Sequence, residues 1–194
     1  KLSWSIDKAS KVLTIDNNGA MVSFASDDAP WRNYKEYFDS VVVDEGCTNI
    51  SQNAFYECNN IVSVELPDTI ETIGDYAFYY CSSLEQIIIP QKVSKLGYAA
   101  FDGCKSLLNV DFSNNEIITS IPQNAFAYCS NLSEFDIPES VTSIESGAFS
   151  HCFNLSKING LEDVSYIYSY AFEYCNKLEN IKLINCSVYY NAFQ

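Results

Sequence analysis

The sequence predicts an α/β solenoid, a right-handed arc in which each repeat adds one short parallel strand and one short helical turn. Three observations predict it: a dipeptide that returns at a nearly constant interval, apolar columns that keep its register, and prolines that follow the predicted strands. The chain has 194 residues, of which 47% are hydrophobic, enough for one domain with a buried core. We divide it into an N-terminal β cap, residues 1–40, and about six repeats, residues 41–194, with the last one truncated.

The dipeptide Ala-Phe marks the repeat. Its phenylalanines are Phe55, Phe78, Phe101, Phe126, Phe149, Phe172 and Phe193, separated by 23, 23, 25, 23, 23 and 21 residues. A period of this length is typical of solenoid proteins, whose units bury their apolar faces only by stacking on one another. The 25-residue step adds two residues around Asn114 and Asn115, and the 21-residue step loses two around Asn185. Both changes fall in predicted loops, where changes in length are tolerated.

Other columns keep the register of the phenylalanines. An isoleucine, leucine or valine stands five residues before each phenylalanine, and apolar residues stand six and nine residues after each of the first six. A cysteine stands three residues after each of the same six, as Cys58, Cys81, Cys104, Cys129, Cys152 and Cys175. These columns predict the inward-facing positions of a continuous core.

The residue types within one repeat predict its elements. Residues 87–89 are a run of isoleucines, which favours a strand, and Pro90 closes the run because proline cannot donate the next ladder bond. The spacing of Ala77, Phe78 and Cys81 would place them on one face of a helical turn. The first 40 residues lack the repeat, and we expect a β hairpin there that covers the open apolar end of the stack.

These columns resemble the BspA-type leucine-rich repeats of bacterial and protozoan surface proteins. The resemblance covers roughly residues 41–194, and the stretch before Trp31 resembles the lead-in of that family. Its most specific motif is complete at Ile73, Gly74, Ala77, Phe78, Cys81 and Leu84. The resemblance implies a leucine-rich-repeat fold, an extracellular or cell-surface location, and adhesion to a host or partner surface.

The eight cysteines invite a disulfide framework or a metal site, but buried free thiols fit better. Six of them share one core column, where free cysteine behaves as a small hydrophobic residue. A zinc site would want paired Cys-x2–4-Cys ligands or several histidines, and neither is present in the sequence. We therefore expect no metal, although disulfides stay an alternative.

Charge and motif content exclude several functions. The 25 acidic and 11 basic residues give a net charge of −14, which argues against nucleic acid because a phosphate backbone needs a basic footprint. No apolar run approaches the ~18–20 residues that span a bilayer, so we expect no membrane insertion in this segment. His151 is the only histidine and none of the common nucleotide or hydrolase motifs occurs, so we expect neither an enzyme nor a cofactor.

The strand positions that point away from the core predict a concave binding face, acidic in the middle and basic towards the C-terminus. The side chains expected to bind there are Glu65, Gln86, Ile88, Asn109, Asp111, Glu134, Asp136, Lys157 and Lys182. The concave side is the usual binding surface of solenoids. We expect the partner to be a surface protein of a host or partner cell, or a protein of the extracellular matrix.

Three other readings stay open. Tyrosines crowd the opposite side, among them Tyr79 and Tyr128, and an aromatic face could bind carbohydrate, although stacking of the rings between repeats is the favoured explanation. The domain could instead be a spacer that projects another domain. Finally, the truncated last repeat predicts an open apolar end, which could associate end to end with a second copy.

Overall fold

The repeats form a parallel β-solenoid of about six turns. The computed structural model describes residues 2–26, 28–112 and 114–194. Each of the five turns between residues 63 and 167 contributes a three-residue strand and a two-residue strand. The three-residue strands are β5 (Ser63–Glu65), β7 (Gln86–Ile88), β9 (Asn109–Asp111), β11 (Glu134–Asp136) and β13 (Lys157–Asn159). The two-residue strands are β4 (Asn49–Ile50), β6 (Thr72–Ile73), β8 (Lys95–Leu96), β10 (Ser120–Ile121), β12 (Ser143–Ile144), β14 (Tyr166–Ile167) and β15 (Ser187–Val188).

The N-terminal residues form a hairpin that continues the row of three-residue strands. Strand β1 (Ser3–Asp7) pairs antiparallel with β2 (Val12–Asp16), and β3 (Ser40–Val43) lies parallel between β2 and β5. The expected hairpin is therefore present. Trp31, from the segment between β2 and β3, is fully buried and donates a 2.7 Å hydrogen bond from its indole nitrogen to the carbonyl of Ala54. Its role as a cap stays a prediction, which is taken up in the Discussion.

The predicted helical turns were wrong. The described residues contain two short 3-10 turns, Arg32–Tyr34 and Leu161–Asp163, and no α-helix. The residues two before and two after each Ala-Phe phenylalanine adopt left-handed backbone conformations where the structure has a turn, for example Tyr76 (φ 55°) and Tyr80 (φ 54°) around Phe78. An α-helix needs an unbroken run of right-handed residues, so this alternation cannot propagate as a helix.

The left-handed residues let the Ala-Phe segments bond to the next turn instead of to themselves. The N–H groups of Tyr76, Phe78 and Tyr80 donate to carbonyls of the following turn at 2.9, 2.8 and 2.7 Å. The equivalent phenylalanines Phe55, Phe101, Phe126, Phe149 and Phe172 make the same bond. Besides its two strands, each turn therefore has an Ala-Phe segment whose hydrogen bonds form a ladder between turns. These bonds explain why non-glycine residues keep the uncommon left-handed conformation there.

The phenylalanines of the repeat stack along the axis of the solenoid. Neighbouring rings lie 5.0–5.6 Å apart between centroids and are tilted by at most 15°. Phe55 through Phe172 are at most 1% exposed, and the aliphatic columns beside them are buried or half-buried, except at Ile181 and Val188 in the last repeat, which are exposed. The inward-facing columns predicted from the sequence are thus confirmed as one continuous core, except in the last repeat, where the prediction for Ile181 and Val188 was wrong.

The cysteine column forms a second ladder inside this core. All eight cysteines are free thiols, and seven of them are buried. The Sγ atoms of Cys81, Cys104, Cys129, Cys152 and Cys175 each donate to the carbonyl of the phenylalanine in the preceding turn, at 3.1–3.3 Å. Burial raises the pKa of the Cys58 thiol to about 11 and that of Cys81 well above its usual value. The prediction of buried free thiols is therefore confirmed for seven of the eight cysteines, and Cys186 is half-buried.

Only Cys186, which is half-buried, should react readily with Ellman's reagent in the folded protein. We expect the other thiols to react on the order of 100-fold more slowly, because their modification requires opening of the stack. The Cys186→Ser variant should then lose the rapid phase, and all thiols should react in denaturant. Rapid modification of several thiols in the native parent would contradict the buried ladder.

Candidate binding face

The three-residue strands present alternate side chains outward, as predicted. In β7 the central Ile87 is buried, while Gln86 and Ile88 are exposed, Ile88 to 62%. The predicted site residues Glu65, Asn109, Glu134, Asp136 and Lys157 are likewise exposed, and Asp111 is half-buried. These eight side chains share one row of strands, hereafter the strand face.

Lys182 is not part of this row. It is exposed, but it lies in an irregular segment beyond β13, where the structure places no strand of the first row. The predicted basic end of the face is therefore reduced to Lys157. The sequence column placed Lys182 there because it stands ten residues after Phe172, as Glu65 stands ten residues after Phe55. The shortened last repeat, however, does not complete a three-residue strand.

In-register pairing brings opposite charges together at the C-terminal half of the strand face. Glu134 pairs with Lys157 in the parallel ladder, and the Lys157 ammonium lies 3.2 Å from a carboxylate oxygen of Glu134. The side-chain amide of Asn159 donates to the carboxylate of Asp136 in the same ladder. Both members of the ion pair are more than half exposed, so it adds little stability. The ion pair does, however, partly neutralise the negative charge of Glu134 on the strand face.

A groove of about 740 Å³ opens beside β9 and β11. It lies at the 25-residue step, and among the described residues no ladder joins β9 to β11 or β8 to β10. Acidic side chains line it, with Phe112 and Pro138 providing apolar surface. The acidic residues are Asp111, Glu116, Asp136 and Glu139. Two of them, Glu116 and Glu139, were not among the predicted site residues; the two-residue insertion is the sequence signal that could have indicated them.

Asn115 holds the inserted residues in place. It is 3% exposed, and its side-chain amide donates to the carbonyls of Pro90 at 2.9 Å and Val93 at 2.7 Å. Its side-chain oxygen accepts from the N–H groups of Ile117 and Ile118 at 3.2 and 3.1 Å. A buried amide with this many partners fixes the loop that forms one wall of the groove.

The tyrosines outside the strand face stack on one another across turns. Tyr56 and Tyr79 are parallel at 4.9 Å, and Tyr128 stacks on His151 at 4.3 Å. Burial is the main cause that raises the pKa of Tyr79 to about 12. His151 also contacts Tyr174, and its Nδ1 is 2.7 Å from the hydroxyl of Ser150. Because these rings cover one another's faces, they offer less flat surface to a sugar than the sequence suggested.

The described part of the chain has neither a metal-ligand cluster nor a membrane-spanning helix. Within residues 2–26, 28–112 and 114–194, no group of three or more histidine, cysteine, aspartate or glutamate side chains could hold a metal ion. No helix in this part of the chain is long and apolar enough to cross a membrane.

The sequence matches a family model described as a BspA type leucine-rich repeat region. Six copies match, over residues 33–118 and 115–194. No protein of curated function matches the sequence.

Solved structures of bacterial leucine-rich-repeat proteins resemble the fold. A Treponema (T. pallidum) leucine-rich-repeat protein is 21% identical with a TM-score of 0.66, covering 96% of each chain. A leucine-rich-repeat protein from Eubacterium ventriosum is 15% identical with a TM-score of 0.57, covering 100% of this chain and 92% of that one. The pneumococcal vaccine antigen PcpA is 18% identical with a TM-score of 0.59; the match covers 83% of this chain and 49% of PcpA. At these identities the likeness establishes the fold alone.

Proposed function

The chain belongs to the BspA type leucine-rich repeat family, and from that premise we propose that it is a non-catalytic surface module that binds a protein partner through its strand face. The supporting observation is an exposed, polar row of five strands that borders an acidic groove. Solenoids commonly bind along such extended strand surfaces. The proposed location is extracellular or at the cell surface, which agrees with the description of PcpA as a vaccine antigen.

The charge of the strand face favours a partner with a complementary, basic surface. The chain carries a net charge of −14, Asp111 and Asp136 line the same groove, and Glu134 lies two residues before Asp136 on β11. Complementary charges raise association rates and suppress wrong partners, and their effect weakens as salt screens them. A host or partner-cell surface protein, or a matrix protein, fits this description.

The test is binding of the purified domain to immobilised extracellular-matrix proteins and to a glycan array, at low and physiological salt. We expect saturable protein binding that falls with salt. The triple variant Asp111→Ala, Glu134→Ala, Asp136→Ala should lose about tenfold or more in affinity, since several charge pairs at ~1 kcal/mol each are removed.

A matched control removes three exposed carboxylates elsewhere, by Glu162→Ala, Asp163→Ala and Glu179→Ala. It changes the net charge by the same amount and should bind within about twofold of the parent. Equal losses in both triples would contradict a site on the strand face. Glycan binding that Tyr128→Ala abolishes would replace this proposal with a carbohydrate-binding function, and binding to neither panel would favour a spacer.

A further inference from the structure

Asp102 is a buried carboxyl group that the strand face does not use. It follows Phe101 directly and is 9% exposed. Its backbone N–H donates to the carbonyl of Ala99 at 3.3 Å, and its carbonyl accepts from the N–H of Tyr80 at 2.7 Å. Its side-chain oxygen Oδ1 is buried and has no hydrogen-bond partner. The backbone of Asp102 is therefore hydrogen-bonded within the solenoid, whereas its Oδ1 is buried without a hydrogen bond.

Within residues 2–26, 28–112 and 114–194, no charged partner offsets the desolvation of the Asp102 carboxyl group. The titratable groups that its charge reaches are Tyr79 on the preceding turn, Cys104 on its own turn and Cys129 on the next. All three are neutral in the folded protein near neutral pH, because burial raises the pKa of each. Lys105, on the same turn, has its ammonium over the ring of Tyr80 at 5.8 Å. At the position of Asp102 the next turn has Ala127, which is buried without any polar group.

Burial without a partner favours the neutral acid. Desolvation raises the pKa of Asp102 to about 7, far above the usual value near 3.8. In the unfolded chain the carboxyl group is solvated and ionises at its usual pKa. As the pH rises between these two values, the unfolded chain loses its proton while the folded one keeps it, so this residue's contribution to stability falls.

We propose that Asp102 is a pH-sensitive weak point of the solenoid: the neutral carboxyl is packed between the turns of Phe78 and Phe126, and its ionisation above neutral pH loosens those turns. The free energy of unfolding starts to fall above about pH 4, where Asp102 ionises in the unfolded chain. It stops falling above about pH 7, where the folded carboxyl is ionised as well. Asp102 lies in the middle of the stack, seven residues before β9, whose Asn109 and Asp111 line the groove.

The test compares the parent with Asp102→Asn by denaturant unfolding from pH 4 to pH 8.5. At pH 8.5 the unfolding equilibrium constant of the variant should be about 10- to 100-fold smaller than that of the parent, because the amide cannot ionise. At pH 4 the two should agree within about threefold. Asp102→Ala, which copies Ala127 of the next turn, should show the same pH dependence as Asp102→Asn, so it keeps the test valid even where the amide packs poorly.

Glu162→Gln is the control, since it removes one charge from an exposed position and leaves Asp102 in place. Its stability profile should run parallel to that of the parent. Parallel profiles for the parent and both Asp102 variants would overturn the proposal. So would a loss of stability in both Asp102 variants that is larger at pH 8.5 than at pH 4, because it would mean that the ionised carboxylate has a structural partner.

Discussion

Replacing Phe101 with alanine is expected to destabilise the solenoid by about 3–5 kcal/mol, the usual cost of removing a large buried aromatic side chain. Phe101 is 0% exposed and lies between Phe78 and Phe126, at centroid distances of 5.1 and 5.4 Å and with both rings tilted by 4°. In a repeat protein each turn is held mainly by its two neighbours, so the substitution weakens two interfaces at once. Denaturant unfolding followed by circular dichroism measures the loss.

The matched control is Phe193→Ala at the last Ala-Phe dipeptide. Phe193 is 37% exposed and stacks on one phenylalanine, Phe172, at 5.0 Å. Its replacement should cost about 1 kcal/mol, since less area is uncovered and the site can relax into solvent. Equal effects of the two substitutions would mean that the central stack does not hold the turns together.

Trp31→Ala should cost a similar 3–5 kcal/mol, and it tests whether the N-terminal region acts as a cap. Trp31 is 0% exposed, stacks on Phe55 at 5.6 Å and donates its indole N–H to the carbonyl of Ala54. It thus continues the phenylalanine stack into the segment that precedes the repeats. Terminal units of solenoids need such a cover, because an open apolar end is exposed to water. The free energy of unfolding, with hydrogen exchange of the Phe55 turn, measures the effect.

Trp4 provides the comparison. It is half-buried on β1, packs against the edge of the core, and has a ring contact with Tyr34 at 5.4 Å between centroids. Trp4→Ala should cost about 1 kcal/mol and leave exchange in the Phe55 turn unchanged. If Trp31→Ala changed stability no more than Trp4→Ala, residues 1–40 would be an attachment to the solenoid rather than its cap.

Much of the fold could be predicted from the sequence because the repeat is a one-dimensional signal. The spacing of the phenylalanines, the apolar columns and the prolines fixes which side chains face inward, and each predicted column is buried along most of its length. The outward positions of the strands follow from the same register, since side chains alternate along a strand. For this reason eight of the nine predicted binding residues lie on the strand face, whereas Lys182 belongs to the shortened last repeat.

The sequence by itself determined that the chain is a stack of about six similar units, which columns form its core, and which strand positions face outward. The tertiary structure decided the rest, because it depends on bonds between turns. The Ala-Phe segments are not helical, since residues such as Tyr76 and Tyr80 take left-handed conformations only when the neighbouring turn supplies carbonyls for the N–H groups. The groove depends on the hydrogen bonds by which Asn115 holds the two-residue insertion. The unsatisfied carboxyl of Asp102 results from its burial between turns. Local residue patterns do not specify such long-range contacts, so these features form only when the turns stack.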